Sequence, residues 1–264
     1  MELKAMTFNL RVDLPQDGKN AWAHRKDKVK HMLGKHRPLI IGTQEGTLPM
    51  LKDISHLLPD YQWLGEGRRG GLEDEFCAIF YRGEELEVLN SGQFWLSEQP
   101  DVPGSISWDS DFPRICTWAY FQSKIHRQES FLHFNTHLDH VSQQAREKGI
   151  QLILEKIQQL HAKEGVPVIL TGDFNAEPDQ KAIRYIDEYV SDTLTLQDAF
   201  SQITPGKTFH SFEGGFKGKP IDYIFTTPDV HILSTEIDRS EVNGGYPSDH
   251  YPVLTTLQIP SKEA

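Results

Sequence analysis

The chain has 264 residues and a formal net charge of −11. That balance argues against a tight, sequence-independent grip on long nucleic acid, which needs a basic face, although a local basic groove or bound metal ions could offset it. No apolar run approaches membrane-spanning length, the N-terminus lacks a signal-peptide core, and no linker or repeat divides the chain. The expectation is therefore one soluble, cytoplasmic domain over residues 1–264, acting as a monomer without a membrane partner.

Leu3 to Phe8 alternates weakly and reads as a strand ending at Asn9. Trp22, Arg25, Val29, Met32 and Leu33 follow helical spacing, with Gly34 as the expected stop. Pro38 precedes a strand, Leu39-Ile40-Ile41, that ends at Gln44-Glu45-Gly46, and Thr47 is placed to cap a short helix. A β-rich middle follows, with strands at 61–64, 76–81, 86–96, 115–121 and 131–136. Between them run two loops, 66–75 and 97–114; the second is long, and long loops in compact domains are often functional. Cys77 and Cys116 fall among aromatics in this region and read as buried free thiols without zinc-site spacing.

Ser142 starts a helix with Ile150, Ile153, Leu154, Ile157 and Leu160 on one face, and Gly165 ends it. Val166 to Leu170 is a short apolar run that reads as a buried strand. It delivers Thr171-Gly172-Asp173-Phe174-Asn175, where Gly172 permits a tight turn that exposes a carboxylate and an amide. The last third gives a helix at 180–189 and strands at 221–226, 231–237 and 253–259. Strand-helix-strand units around a meander predict an α/β fold: a four-layer α/β sandwich, two mixed β-sheets face to face with helices on the outer sides.

Six polar clusters follow or interrupt these strands: Asn9; Gln44-Glu45; Asn135-Thr136-His137-Leu138; Asp173 with Asn175; Ile221-Asp222-Tyr223; and Ser248-Asp249-His250. Carboxylates, an amide oxygen and water suit a hard divalent ion such as Mg²⁺. His137 and His250 suit charge stabilisation or proton transfer. Each cluster also has a plain reading: an Asx-turn for Asn9, a helix cap for Glu45, a satisfied buried histidine for His137, a backbone partner for Asp222, turn residues for Asp249-His250. One shared site would explain all six together.

In this order the set resembles the endonuclease/exonuclease/phosphatase superfamily, which includes deoxyribonuclease I-like enzymes, abasic-site endonucleases, nocturnin-like deadenylases, inositol polyphosphate 5-phosphatases and neutral sphingomyelinases. The resemblance runs from Asn9 to His250, and Phe94-Trp95-Leu96-Ser97, Trp108-Asp109 and Pro113-Arg114 resemble its bacterial, deadenylase-like branch. It implies that Glu45 ligates a catalytic Mg²⁺, with Mn²⁺ as an alternative, and that Asn9 and Asp249 lie beside it. It implies that Asp173 orients or deprotonates the attacking water and that Asn175 hydrogen-bonds that water or the phosphorane oxygens. Asp222 would orient His250, His250 and His137 would stabilise charge on the transferring phosphate, and Arg114 would bind a non-bridging oxygen.

The expected activity is metal-assisted, in-line hydrolysis of a phosphodiester in a small or single-stranded nucleic-acid-like substrate. The partner is thus a phosphate ester, a nucleotide or nucleic acid among the candidates. A phosphomonoesterase on a sugar, nucleotide or inositol phosphate is the alternative, and a non-catalytic binding module ranks last. The local basic pieces are Gly67-Arg68-Arg69 and Gly215-Phe216-Lys217-Gly218-Lys219, both in expected rim loops, where solvated charge is the plain reading.

Overall fold

A computed structural model describes residues 1–189 and 194–261. In chain order the strands are β1 Glu2–Asn9, β2 Ile40–Gln44, β3 Gly46–Thr47, β4 Tyr61–Leu64, β5 Glu75–Phe76, β6 Ile79–Arg82 and β7 Leu86–Trp95. They continue as β8 Ile115–Ser123, β9 Ser130–His137, β10 Val168–Asp173, β11 Gln197–Asp198, β12 Asp222–Thr226, β13 His231–Ile237 and β14 Val253–Gln258. The helices are α1 Trp22–His36, α2 Leu48–Leu57, α3 Gln143–Glu164 and α4 Lys181–Glu188. The larger sheets have six strands each, in the orders β13-β14-β1-β2-β6-β4 and β11-β12-β10-β9-β8-β7. Both are mixed: β1–β2 and β9–β10 pair in parallel, and the neighbours pair antiparallel. The expected sandwich is the observed one, with α1 and α2 over the first sheet and α3 and α4 over the second. No helix among the described residues is long and apolar enough to cross a membrane.

Strand periodicity explains the layering. In β1, Met6 and Phe8 pack outward with Trp22, Val29, Met32 and Leu33 of α1, while Leu3, Ala5, Thr7 and Asn9 alternate toward the second sheet. The space between the sheets is apolar at one end, where Leu3, Ala5, Phe121 and Phe131 lie. Burying a phenylalanine such as Phe121 contributes roughly 1.5–3 kcal/mol. Toward the other end the facing residues turn polar. Asn135 of β9 donates to the carbonyl oxygens of Thr43 and Ala78 and accepts from Gln44 Nε2 at 2.8 Å. Gln44 also donates to Thr7, and Thr171 of β10 donates to Asn135. The sheets meet closely here because β2 carries Gly42: a Cβ at that position would lie 2.2 Å from Thr171 Oγ1 and 2.4 Å from Asn135 Oδ1.

Several boundaries differ from the sequence reading. Helix α1 runs through Gly34 to His36 and is closed by Arg37 in the left-handed region at φ 44°. Its helical bonds and the packing of Leu33 outweigh the modest cost of a glycine. The strand expected over 76–81 divides into β5, which pairs with β3, and β6, which pairs with β2 and β4; Cys77 lies between the two. The two-residue strand β11 was not read from sequence. Ser142 accepts from the Ala145 N–H as an N-cap, and Gly165 closes α3 at φ 61°, both as expected. Thr47 sits at the N-cap of α2, but its hydroxyl makes no capping bond. Cys77 and Cys116 are buried free thiols.

Two substitutions test this packing. Gly42→Ala should destabilise the chain by roughly 1–3 kcal/mol, the usual consequence of overpacking, measured by urea unfolding. Asp238, 7 % exposed, accepts from Lys35 Nζ at 2.6 Å, faces His36 Nε2 at 2.6 Å and accepts from the Ser240 N–H, tying the end of α1 to the end of β13. Burial alone would raise its pKa, but His36, Lys35 and Ser240 hold it well below the usual carboxylate range. A depressed carboxyl contributes stability that is present above the ordinary Asp pKa of about 3.9 and lost as pH falls from there toward the folded value. Asp238→Asn should lower stability at pH 7 by roughly 1–3 kcal/mol and flatten the acid limb of the stability–pH curve.

Candidate functional site

Parallel pairing puts the C-terminal ends of β1, β2, β9 and β10 on one rim, and antiparallel pairing brings the starts of β8, β12 and β14 to the same rim. The register makes this specific. Asn9 pairs with Gln44, and Asp173 pairs with His137 on one side and Asp222 on the other. His137, Asp173 and Asp222 therefore form a row across three adjacent strands, all pointing toward the first sheet. Asn9 closes the gap from that sheet: its Nδ2 donates to Asp173 Oδ2 at 2.9 Å and to Glu45 Oε1 at 2.8 Å.

The Asp173–Asn175 turn is anchored by the residue between them. Phe174 is fully buried against Tyr223 and Phe225, and its N–H donates to the Ile221 carbonyl. Gly172 does not make the turn, as sequence suggested. It lies within β10, where a Cβ would stand 2.6 Å from the Thr136 carbonyl oxygen, so its smallness serves strand packing. The turn falls at Asn175, in the left-handed region at φ 46°. Glu45 at φ 62° and Arg11 at φ 55° share that conformation. Such backbone costs roughly 1–3 kcal/mol per residue and is typical of functional sites.

The rim opens on a cleft of about 500 Å³. Glu45, Arg114, His137, Asp173, Asn175, Asp249 and His250 line it, while Asn9 and Asp222 stand behind as buried partners. All nine candidates from the sequence thus converge. His250 Nδ1 faces Asp222 Oδ2 at 2.9 Å, and its Nε2 lies 3.8 Å from Asp173 Oδ2. His137 Nε2 lies 3.4 Å from the same oxygen and accepts from Asn175 Nδ2 at 3.0 Å. Asn175 N–H donates to Asp173 Oδ1. Asp249 Oδ2 faces Arg11 Nε at 3.7 Å, and Arg11 also pairs with Asp17. Arg114 spends part of its fork inside the protein, with Nη2 at 2.9 Å from His140 Nδ1 and Nε at 3.5 Å from Asp139 Oδ2.

Burial lowers the His137 pKa well below its ordinary value, and the Arg114 and His250 charges push it the same way, so this imidazole is neutral. Burial would also lower His250, but Asp222 and Asp173 outweigh it and raise the group, which is held as imidazolium. Burial and the Asp222 charge raise Asp173; burial and Glu45 raise Asp249. Burial and neighbouring like charge thus raise both Asp173 and Asp249 on the cleft. Ligand atoms of Glu45, His137 and Asp173 lie within 4.8 Å of one another. Oxygen donors that repel each other beside an open cleft fit a hard divalent cation. As placed, Asn9 turns its nitrogen to the carboxylates and its oxygen to the Arg11 N–H, so it positions Glu45 and Asp173.

The sequence reading missed several cleft residues. Arg68 is 7 % exposed, pairs with Glu75 at 3.0 Å and lies 4.5 Å from the centre of the Phe112 ring. Its neighbour Arg69 is the solvated charge that was expected, paired to Asp74. Burial pushes Glu75 up to about 7, against the pull of Arg68. Phe209 is exposed on the cleft with its ring centre 5.0 Å from that of His250. The only signal for Arg68 was its basic tripeptide; nothing local separated it from Arg69.

The Asp222→Asn variant removes the largest influence raising His250. In metal-free protein, the His250 pKa read by NMR should fall, so the imidazole loses its proton over a lower pH range than in the parent. An unmoved titration would refute the assigned pairing.

Residues 6–250 match the profile of the Endonuclease/Exonuclease/phosphatase family. A crystal structure of an endonuclease/exonuclease/phosphatase from Bacteroides vulgatus is 36% identical, covers 98% of this chain and 100% of its own, and superposes with a TM-score of 0.91. A mannosyl-6-phosphatase from Bacteroides thetaiotaomicron is 35% identical, covers 97% of this chain and 99% of its own, with a TM-score of 0.89. Protein angel of Drosophila melanogaster is 25% identical over 176 residues, 63% of this chain. The chain spans about half the length of that curated relative, 47%.

Proposed function

The chain belongs to the endonuclease/exonuclease/phosphatase family, and from that footing we propose a divalent-metal-dependent phosphoesterase that hydrolyses a small organic phosphate, folded as one domain and working as a monomer. The observation that carries this reading is the meeting of Glu45, His137, Asp173, Asn175, Asp249 and His250 around one cleft. Glu45 would hold Mg²⁺, with Asp249 beside it and Asn9 fixing the carboxylate. When bound, the ion supplies charge neutralisation at the phosphoryl oxygens and a lowered pKa for water.

The residues then divide the work. Asp173, raised in pKa and anchored by Asn9 and Asn175, accepts the proton as water attacks phosphorus. His250, kept charged by Asp222, offers an N–H to the developing negative charge, while Asn175, whose Nδ2 donates to His137 and to the Leu138 carbonyl, would orient the attacking water through its side-chain oxygen. His137, being neutral, contributes as a hydrogen-bond partner or ligand and not as a cation. Arg114 reaches a non-bridging oxygen with the donors it does not spend on His140. The P–O bond to the leaving alcohol breaks as the bond to water forms, with no covalent protein intermediate.

The two substrate readings differ in support. The near full-length similarity to a mannosyl-6-phosphatase favours a phosphomonoester of a sugar. The aromatic faces of Phe112 and Phe209 on the same cleft favour a nucleotide-like phosphodiester, since bases stack on such rings. The monoester has the stronger claim, because a 500 Å³ cleft matches one small molecule.

Turnover of mannose 6-phosphate, p-nitrophenyl phosphate and bis(p-nitrophenyl) phosphate with Mg²⁺ separates them. Activity should vanish with EDTA, and Glu45→Gln or His250→Asn should each lower kcat by roughly 10²–10⁴-fold. A monoester-to-diester preference in kcat/KM supports the sugar phosphatase, and the reverse preference supports the diesterase. EDTA-resistant turnover, or none on any ester, sinks the proposal.

A further inference from the structure

Arg25 is a fully buried cation that the proposed chemistry does not use. It lies on α1 with 1 % of its surface exposed, its guanidinium 5.5 Å from the Trp22 ring centre and 5.7 Å from that of Phe212. A buried arginine is ordinarily matched by a carboxylate. Here every hydrogen bond goes to a backbone carbonyl: Nη1 to Leu10 at 2.6 Å and Pro247 at 2.9 Å, Nη2 to Arg11 at 2.8 Å, and Nε to Asn20. Burial pulls its pKa down to about 10, so the charge persists at neutral pH.

Those four carbonyls define its role. Leu10 and Arg11 directly follow Asn9, and Pro247 directly precedes Ser248-Asp249-His250. Pro247 lies 222 residues from Arg25 along the chain, and one planar fork joins its segment to that of Leu10 and Arg11. Ser248 makes a parallel tie, its Oγ donating to the Asn9 carbonyl at 2.7 Å. Val12, one residue beyond the Arg11 carbonyl, donates its N–H to Glu45 Oε2 at 2.9 Å. The arginine therefore fixes the backbone carrying Asn9, the Val12 contact to Glu45, and Asp249, without touching the cleft.

We propose that Arg25 is a positioning residue for the cation site, holding the loops after β1 and before β14 at the separation that Glu45 and Asp249 need to share one ion. This rests on reading those two carboxylates as cation ligands. Lysine cannot replace it: an ammonium is a point donor and cannot span carbonyls on three segments as a rigid fork does. Partners behind a metal's ligands typically account for 10–100-fold in affinity.

The test measures Mn²⁺ binding to EDTA-stripped full-length protein by EPR titration, with thermal unfolding in parallel. Arg25→Lys should weaken Mn²⁺ binding by roughly 10-fold or more. Leu33→Ala is the comparison, since Leu33 is a buried apolar residue of the same helix whose side chain makes no hydrogen bond to either loop. It should lower Tm while keeping the parent's Mn²⁺ affinity well below that Tm. Ser248→Ala cuts the parallel tie, together with the 3.3 Å contact of the same hydroxyl to Asp249 Oδ1, and should weaken Mn²⁺ in the same direction. Parent-like Mn²⁺ affinity in either Arg25→Lys or Ser248→Ala, or an equal loss in Leu33→Ala, overturns the inference while leaving the cation site standing. A parent protein that binds no Mn²⁺ overturns the ligand reading itself.

Discussion

Asp173 is the point at which the two halves of the molecule become one site. Its carboxylate accepts from Asn9 across the sandwich and from the Asn175 backbone, and both histidines look at it from within 3.8 Å. This arrangement requires the two sheets to stand at a fixed separation at the rim, so that one short side chain from each meets the other. Gly42 supplies the room, and the layer of Thr7, Gln44, Asn135 and Thr171 beneath supplies the attraction. An apolar layer there would tolerate sliding of one sheet on the other. A hydrogen-bonded layer tolerates one registration only, since a half-satisfied buried network is costly.

The same rigidity sustains strained backbone. Glu45, Asn175 and Arg11 occupy the left-handed region without being glycine, and each lies within two residues of a strand's C-terminal end. The conformation turns a side chain out of the pleat and into the cleft, where continued β geometry would send it to the sheet face. The strain is offset by contacts that exist only in the folded chain: Phe174 behind Asn175, Val12 and Asn9 on Glu45, Asp17 on Arg11.

Much of this was legible in the sequence because the information was local or ordered. Strand ends carrying Asn9, Glu45, His137, Asp173, Asp222 and His250 were visible as polar interruptions of apolar runs, and their order along the chain suggested a common rim. What escaped was set by distant partners. Arg68 and Arg69 are chemically identical neighbours, and only the packing of Phe112 and Glu75, brought in by other segments, buries one and leaves the other in water. Gly34 looked like a stop because glycine favours helix ends, but the bonds of a helix already anchored by Leu33 carry through it. The amide orientation of Asn9 depends on two carboxylates and a backbone N–H that are not its sequence neighbours, apart from Arg11. Residue type foretold the convergence; long-range register decides which of the converging groups touch the cleft and which stand behind it.

Charge reconciles an acidic chain with an anionic substrate. A net charge of −11 would repel a phosphate at long range in pure water, but at physiological ionic strength surface charges are felt over only about 8 Å. Inside the cleft the local groups govern, and there Arg11, Arg68, Arg114 and the imidazolium of His250 face Glu45, Glu75, Asp173 and Asp249 nearly in balance. The divalent cation proposed on the carboxylates would tip that balance positive where a phosphoryl group would lie. The small phosphate ester proposed as substrate would lie within this field. The cleft's volume and its own charged lining are thus the two observations that support the short substrate proposed above.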